Sequence, residues 1–241
     1  MSWHMAPMTL DNLGDLPKRC RSCVFWELSA PLGEQATQFG SPELEKEAWV
    51  SEVLLEWGSC GRVVYMRGAP AGYVMYAPPS AVPRAAGLPT GPVSADAVLL
   101  TTMQVMPEFS GEGIGRLLAQ AVVKDLTRRG VKAIEAFGDE QWSSPSCVLP
   151  ADALRRVGFK TVRPHPRWPR LRMELRSAMT WKEDVEAALE QLLGSITLPL
   201  QAGGIDEPGR RPVRTPAHAG LSELLRATGA PRCAEIENSP V

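Results

Sequence analysis

A single glycine-punctuated turn constrains this chain more than any other feature. It lies between an apolar, β-prone run, Ala97 to Val105, and a helical pattern that starts near Ile114. Pro107 closes the strand, and Ser110-Gly111-Glu112-Gly113-Ile114-Gly115 forms the turn. Ile114, Leu117, Leu118, Ala121, Val122 and Leu126 then recur at three- and four-residue spacing, which places them on one helix face. Gly130 ends the helix, and Val131 to Phe137 reads as a second strand. The unit is strand, glycine turn, helix, strand.

Glycines let a backbone take conformations closed to other residues and let a ligand come close. The first N–H groups of the following helix have no intrahelical partner, and with the helix dipole they make an anion site. A phosphate is therefore the expected occupant. A P-loop would need Gly-Lys-Ser/Thr, and the chain runs Gly113-Ile114-Gly115-Arg116-Leu117. The dinucleotide fingerprint would need glycine at Arg116 or Leu118, although Glu135 stands at a suitable distance for its acidic residue. Neither pattern is met.

The stretch resembles the GNAT superfamily of N-acetyltransferases. In that family a strand ending V-x-P leads into R/Q-x-x-G-x-G/A, whose amides hold the coenzyme A pyrophosphate. Val105-Met106-Pro107 and Gly111-Glu112-Gly113-Ile114-Gly115-Arg116 match in order and spacing. Ser110 stands where the family usually has Arg or Gln, but the cradle is mainly backbone. The Gly68-x-x-x-Gly72-Tyr73 hairpin and the Gly158-Phe159-Lys160 segment with Met173-Glu174-Leu175 also resemble the family. The resemblance implies an α/β acyl-CoA N-acyltransferase fold: a mixed, mostly antiparallel sheet flanked by helices. It also implies acetyl-CoA as co-substrate and direct transfer of its acetyl group to an amine.

Several site residues follow from the same resemblance. Met103, Gln104 and Val105 would pair with the pantetheine arm, and one of their N–H groups would face the thioester oxygen. Gly111, Glu112, Gly113, Ile114, Gly115 and Arg116 would hold the pyrophosphate. The family's coenzyme-contacting asparagine falls on Cys147, and its proton-donating tyrosine on Leu154. An attacking amine must lose a proton, so a base is needed, directly or through water. The family's early glutamate on the central strand is absent, since Leu99 and Leu100 occupy that region. Glu135 is the leading candidate base, with Glu27, Asp139, Glu140 and His165 behind it.

Composition agrees with a globular chain. At 241 residues, 44% hydrophobic and 22% charged, it fits one medium domain with extra material. A net charge of −1 gives no case for nucleic acid or an anionic membrane. No apolar run approaches a membrane span and no signal peptide is evident, so a cytoplasmic location is expected. Five cysteines, irregularly spaced, argue against a secreted disulfide framework.

Other stretches admit more than one reading. Cys20-Arg21-Ser22-Cys23 suits zinc only if Cys60, His4 or His165 joins it in space. A redox pair is a second option, and small apolar residues under Phe25 and Trp26 a third. The family resemblance makes this region a wall of the acceptor side, with Glu27 a candidate there. Glu43 to Trp57 is an amphipathic helix, with Ser41-Pro42 as its start. Pro78 to Pro92, with five prolines, is a loop that serves either as a lid or as a mobile segment.

The expected division is an N-acetyltransferase domain over 1–178 and an extension over 179–241, with a helix at about 180–194 and a flexible tail. The stripe Trp181, Val185, Leu189, Leu192 and Leu193 needs cover, from its own domain, a protein partner or a second copy. A module that binds acyl-CoA without turning it over is the alternative function, and a nicotinamide enzyme a distant third. The acceptor, a small-molecule or protein amine, is not legible.

Overall fold

The computed structural model describes residues 2–141, 147–156 and 158–175. The expected extension at 179–241, its helix and the end of the 1–178 domain lie outside the described residues. So does part of the loop after the second strand of the glycine unit, from Trp142 to Ser146.

Eight strands form one sheet in the order β1-β2-β3-β4-β5-β8-β7, with β6 beside β5. They are β1 (Trp3–Pro7), β2 (Gly61–Met66), β3 (Ala69–Ala77), β4 (Ala97–Val105), β5 (Ala133–Asp139), β6 (Leu149–Pro150), β7 (Lys160–Arg163) and β8 (Arg170–Glu174). Strands β1 to β4 form an antiparallel meander, and β8 runs antiparallel to β5 and β7. The helices are α1 (Leu10–Leu13), α2 (Lys18–Arg21), α3 (Ala30–Phe39), α4 (Pro42–Trp57), α5 (Ile114–Arg128) and α6 (Ala151–Arg156). The mixed, mostly antiparallel sheet with flanking helices is the architecture the family resemblance implied.

Each face of the sheet carries its own core. On one face, Trp49, Val50 and Val53 of α4 pack with Leu13, Cys20, Phe25 and Trp26 over Tyr73, Met75, Leu99 and Phe137. On the other, Ile114, Leu118, Val122 and Leu126 of α5 pack with Ala153 and Leu154 of α6 over Val74, Tyr76, Val98 and Ile134. The three- and four-residue period of α5 is thus satisfied by burial. Helix α3 carries no apolar period that announces it, and it was not foreseen.

The proline-rich stretch differs from both readings of it. Two 3-10 turns, Pro79–Ala81 and Pro83–Gly87, fold it down. Val82, Ala85, Leu88 and Val93 are buried in the first core, and Thr90 Oγ1 donates to Trp168 O at 2.7 Å. Prolines removed regular hydrogen bonding but left apolar side chains free to pack. The loop packs on this face.

Two features set where α5 begins. Arg67 and Gly68 are both left-handed, with φ of 53° and 81°, which gives the tight two-residue turn joining β2 to β3. Gly72 on β3 then lets α5 approach the sheet. A Cβ there would lie 2.8 Å from Gln104 O and 2.9 Å from Ile114 Cγ2. Gly72→Val is therefore expected to lower stability by about 1–3 kcal/mol, read as an earlier urea midpoint. An unchanged midpoint would show that the first turn of α5 does not rest on this strand.

Candidate functional site

The central feature is the parting of β4 from β5. Their parallel ladder covers only Ala97, Val98 and Leu99 against Ala133, Ile134 and Glu135. Beyond Leu99, the ladder neighbour of β4 among the described strands is β3 alone. A register shift opposite Met75 and Tyr76 leaves Thr101 as an extra residue in β4 at this point. Such a bulge adds twist and bends a strand away from its neighbour. Met103, Gln104 and Val105 follow the bulge, on the stretch that has left β5.

At the far end of β4 sits the glycine turn. Gly111 and Gly113 have φ of 88° and 79°, and Gly113 caps the start of α5. A Cβ at either would meet nothing within 4 Å, so the backbone faces open space. The Glu112 N–H bonds to Phe109 O, and the Arg116 N–H to Gly113 O. Among the described residues no backbone acceptor meets the N–H of Gly111, Gly113, Ile114 or Gly115. Glu112 and Arg116 turn their N–H groups inward, unlike the other four residues of the turn. Arg67 Nη2 holds Glu112 Oε1 at 2.6 Å, and its guanidinium lies 5.4 Å from the centre of the Phe109 ring.

Glu135 is fully buried. Ser94 N donates to its Oε2 at 3.0 Å, Arg172 Nη1 lies 3.2 Å from Oε1, and Arg170 Nη1 3.2 Å from Oε2. Burial acts to raise its pKa, but hydrogen bonding from Ser94 and the two arginine charges outweigh it and hold the carboxyl below the ordinary range. Arg172 also grips Asp96 at 2.9 and 3.0 Å. This carboxylate ties β5 to β8 and to the loop before β4.

The remaining candidates are distributed unequally. Glu27 is buried and ion-paired with Lys46 of α4, and its Oε2 accepts the Trp26 N–H at 3.1 Å. His165 Nδ1 accepts two backbone N–H groups, from Arg167 at 3.2 Å and Trp168 at 2.9 Å, and so shapes the loop between β7 and β8. Glu140 is held by Arg155. Asp139, the last residue of β5, is 6% exposed, and its Oδ1 accepts the Gln141 N–H at 2.9 Å. Burial raises its pKa above the ordinary value, against the opposing pull of that hydrogen bond and of Arg167.

Cys147 lies where Trp26 reaches across the face. Trp26 Nε1 donates to Cys147 O at 2.8 Å, and Cys147 Sγ is 3.2 Å from Cys23 Sγ. Cys20 faces elsewhere, with Sγ 3.4 Å from Gln104 Oε1. The two sulfurs of the C-x-x-C segment therefore have different neighbours. Among the described residues no group of three His, Cys, Asp or Glu side chains is placed to hold a metal ion. Leu154 of α6 is buried in the second core and offers no proton.

Sequence reasoning missed Lys46, Tyr73, Arg170 and Arg172 as polar partners. Nothing in the order of residues distinguishes Lys46 from the glutamates beside it; only the docking of α4 turns it inward.

The buried carboxylate makes a stability prediction. Glu135→Gln leaves two arginines facing a neutral amide, and a loss of about 3–5 kcal/mol is expected by urea unfolding. Because the folded pKa is lowered, the carboxylate's contribution is complete above about pH 4.3 and fades as pH falls through the folded value. The acid limb of the wild-type stability profile should therefore flatten in the variant. A parallel pair of profiles would contradict the ion-pair role.

No curated protein matches the chain. Solved structures similar to it include the PaiA N-acetyltransferase of Thermoplasma acidophilum in complex with coenzyme A. That pair shares 12% identity and a TM-score of 0.48, over 72% of this chain and 99% of the other. YncA of Salmonella typhimurium, a putative acetyltransferase with its cofactor acetyl-CoA, shares 13% at 0.47, over 73% and 95%. The ribosomal-protein-S18-alanine N-acetyltransferase of Escherichia coli shares 15% at 0.41, over 72% and 92%. The family model described as "Acetyltransferase (GNAT) family" matches residues 26–148, just over half of the chain, a segment that holds the parted strands and the glycine turn. The chain belongs to the acetyltransferase (GNAT) family, whose co-substrate is acetyl-CoA.

Proposed function

We propose that the chain transfers the acetyl group of acetyl-CoA directly to an amine held between β4 and β5. The observation that supports this most is the set of open backbone N–H groups at the start of α5, at the end of a strand that has parted from β5. The coenzyme pyrophosphate sits on the N–H groups of Gly111, Gly113, Ile114 and Gly115 at the start of α5, where the helix dipole favours an anion. The Arg67–Glu112 ion pair keeps a carboxylate from opposing that anion. The pantetheine arm runs beside Met103, Gln104 and Val105 as an added strand. Cys147, on the β5 side, is a further neighbour of the arm.

In the reaction the amine nitrogen bonds to the thioester carbon, and the carbon–sulfur bond breaks after a tetrahedral intermediate. A backbone N–H of the Met103–Val105 segment donates to the carbonyl oxygen as charge grows there. One amine proton leaves to a base, and coenzyme A departs as the thiolate. Glu135 was the leading base from sequence, but its carboxylate is held by two arginines and Ser94, and its lowered pKa makes it a weak one. Asp139 suits the role better. It is buried, its pKa is raised, and it follows Glu135 and Phe137 on the same face of β5. Leu154 supplies no acid, so the thiolate takes its proton from solvent.

The reading includes a cytoplasmic location, where acetyl-CoA is available. Among the described residues no helix is long and apolar enough to cross a membrane. The domain spans 1–178, and the segment after it carries the apolar stripe that needs cover from its own domain, a partner or a second copy.

Amine-dependent release of the coenzyme thiol tests the function. The expected result is acetylated amine and free thiol in equal amounts. Asp139→Asn should lower kcat by about 10²–10⁴ and remove the acid limb of the rate profile. Leu154 favours a second reading, an acyl-CoA-binding module without turnover; acetyl-CoA binding with no thiol release from any amine would establish it instead. An unchanged kcat in Asp139→Asn would remove that residue from the mechanism while leaving the transferase intact.

A further inference from the structure

The side chain of Gln104 is a buried polar group of β4 that the mechanism above does not use. It projects from β4 on the face that carries Trp26 and Phe137, immediately beyond the bulge, and is 6% exposed. Its Oε1 accepts from Tyr73 Oη at 3.0 Å and from Cys20 Sγ at 3.4 Å. Burial raises the pKa of both donors, Tyr73 well above its ordinary value, so each keeps its proton. The two donors occupy the carbonyl side of the amide and fix its orientation. Its Nε2 carries two N–H groups, and among the described residues neither has an acceptor. Those N–H groups are free to meet an oxygen of a bound molecule.

The charges on this face narrow the ligand further. Glu27 is neutralised by Lys46, and Glu135 by Arg170 and Arg172. Arg170 is itself buried, and its Nε lacks a hydrogen-bond partner. Asp139 is the one buried carboxyl of this face left without an ion pair among the described residues, and it is assigned to the attacking amine. Among the described residues no further buried carboxyl of this face is left for a second or third ammonium. Unpartnered N–H donors remain for an oxygen.

We infer that the acceptor is an α-amino group with a carbonyl oxygen on the adjacent carbon, held by the Gln104 amide on the β4 side while Asp139 takes the proton on the β5 side. Free amino acids and peptide N-termini share that chemistry. Polyamines and aminoglycosides do not. The inference rests on the transferase reading.

The test uses the full chain, acetyl-CoA and matched acceptors: phenylalaninamide, free phenylalanine, a phenylalanine-initiated tripeptide, phenethylamine and spermidine. Phenylalaninamide is expected to exceed phenethylamine in kcat/KM by about tenfold or more, with spermidine lowest. The tripeptide against free phenylalanine tells a peptide terminus from a metabolite. Gln104→Met, close in shape and without N–H donors, should bring the amide-to-amine ratio to within about twofold. Equal rates for phenylalaninamide and phenethylamine, or a preference for spermidine, would overturn the inference and leave the transferase standing. A ratio unchanged in Gln104→Met would overturn the role of Gln104, and if that variant does not fold the wild-type ratio still decides. No transfer to any amine while acetyl-CoA still binds would overturn both readings together.

Discussion

Everything at the site depends on how briefly β4 and β5 stay paired. Three residue pairs hold them, Ala97–Leu99 against Ala133–Glu135, and then the strands separate. A backbone ladder leaves no room for a ligand, because its N–H and C=O groups are already matched. Ending the ladder early converts the inner edge of β4 into a surface that an extended molecule can follow. The extra residue at Thr101 bends β4 at the same place.

Keeping a sheet open in its middle requires support from both faces. The two cores supply it, α4 with the Trp26 segment on one side and α5 with α6 on the other. At the closed end, Glu135 with Arg170 and Arg172 fastens β5 to β8, while Ser94 brings the proline-rich loop against the same carboxylate. Near the far end of α5, Asp125 joins Arg62, Arg129 and Tyr76. Ion pairs of this kind are weak contributors when exposed but costly to break when buried. Their placement beside the parting, not their number, is what matters.

How much of this was legible in the sequence depended on whether the signal was local. The glycine turn, the period of α5 and the existence of the β2–β3 hairpin could be read because each is written in consecutive residues. The left-handed geometry at Gly111 and Gly113 was legible for the same reason, since glycine is the residue such a turn favours. The roles of Glu135, Glu27 and Cys147 were not. Glu135 stood at a plausible strand position, yet its chemistry is set by Arg170 and Arg172, which are distant in sequence and reach it only through the β5–β8 register. The proline-rich loop misled for the opposite reason, since its composition reports backbone freedom while its buried Val82, Leu88 and Val93 decide its fate. Cys20 and Cys23 looked like a pair because they are near in sequence, and tertiary structure separates their neighbours.

The central claim is that the first turn of α5 holds the coenzyme through backbone N–H groups. Calorimetric titration of acetyl-CoA into the wild type and into Gly113→Asp tests it most directly. That substitution puts a side chain at a left-handed position and a negative charge where the pyrophosphate should lie. Micromolar binding by the wild type, weakened at least about a hundredfold in a variant that still folds, is the predicted result. Equal affinity in the two proteins, or no binding by the wild type, would contradict the account.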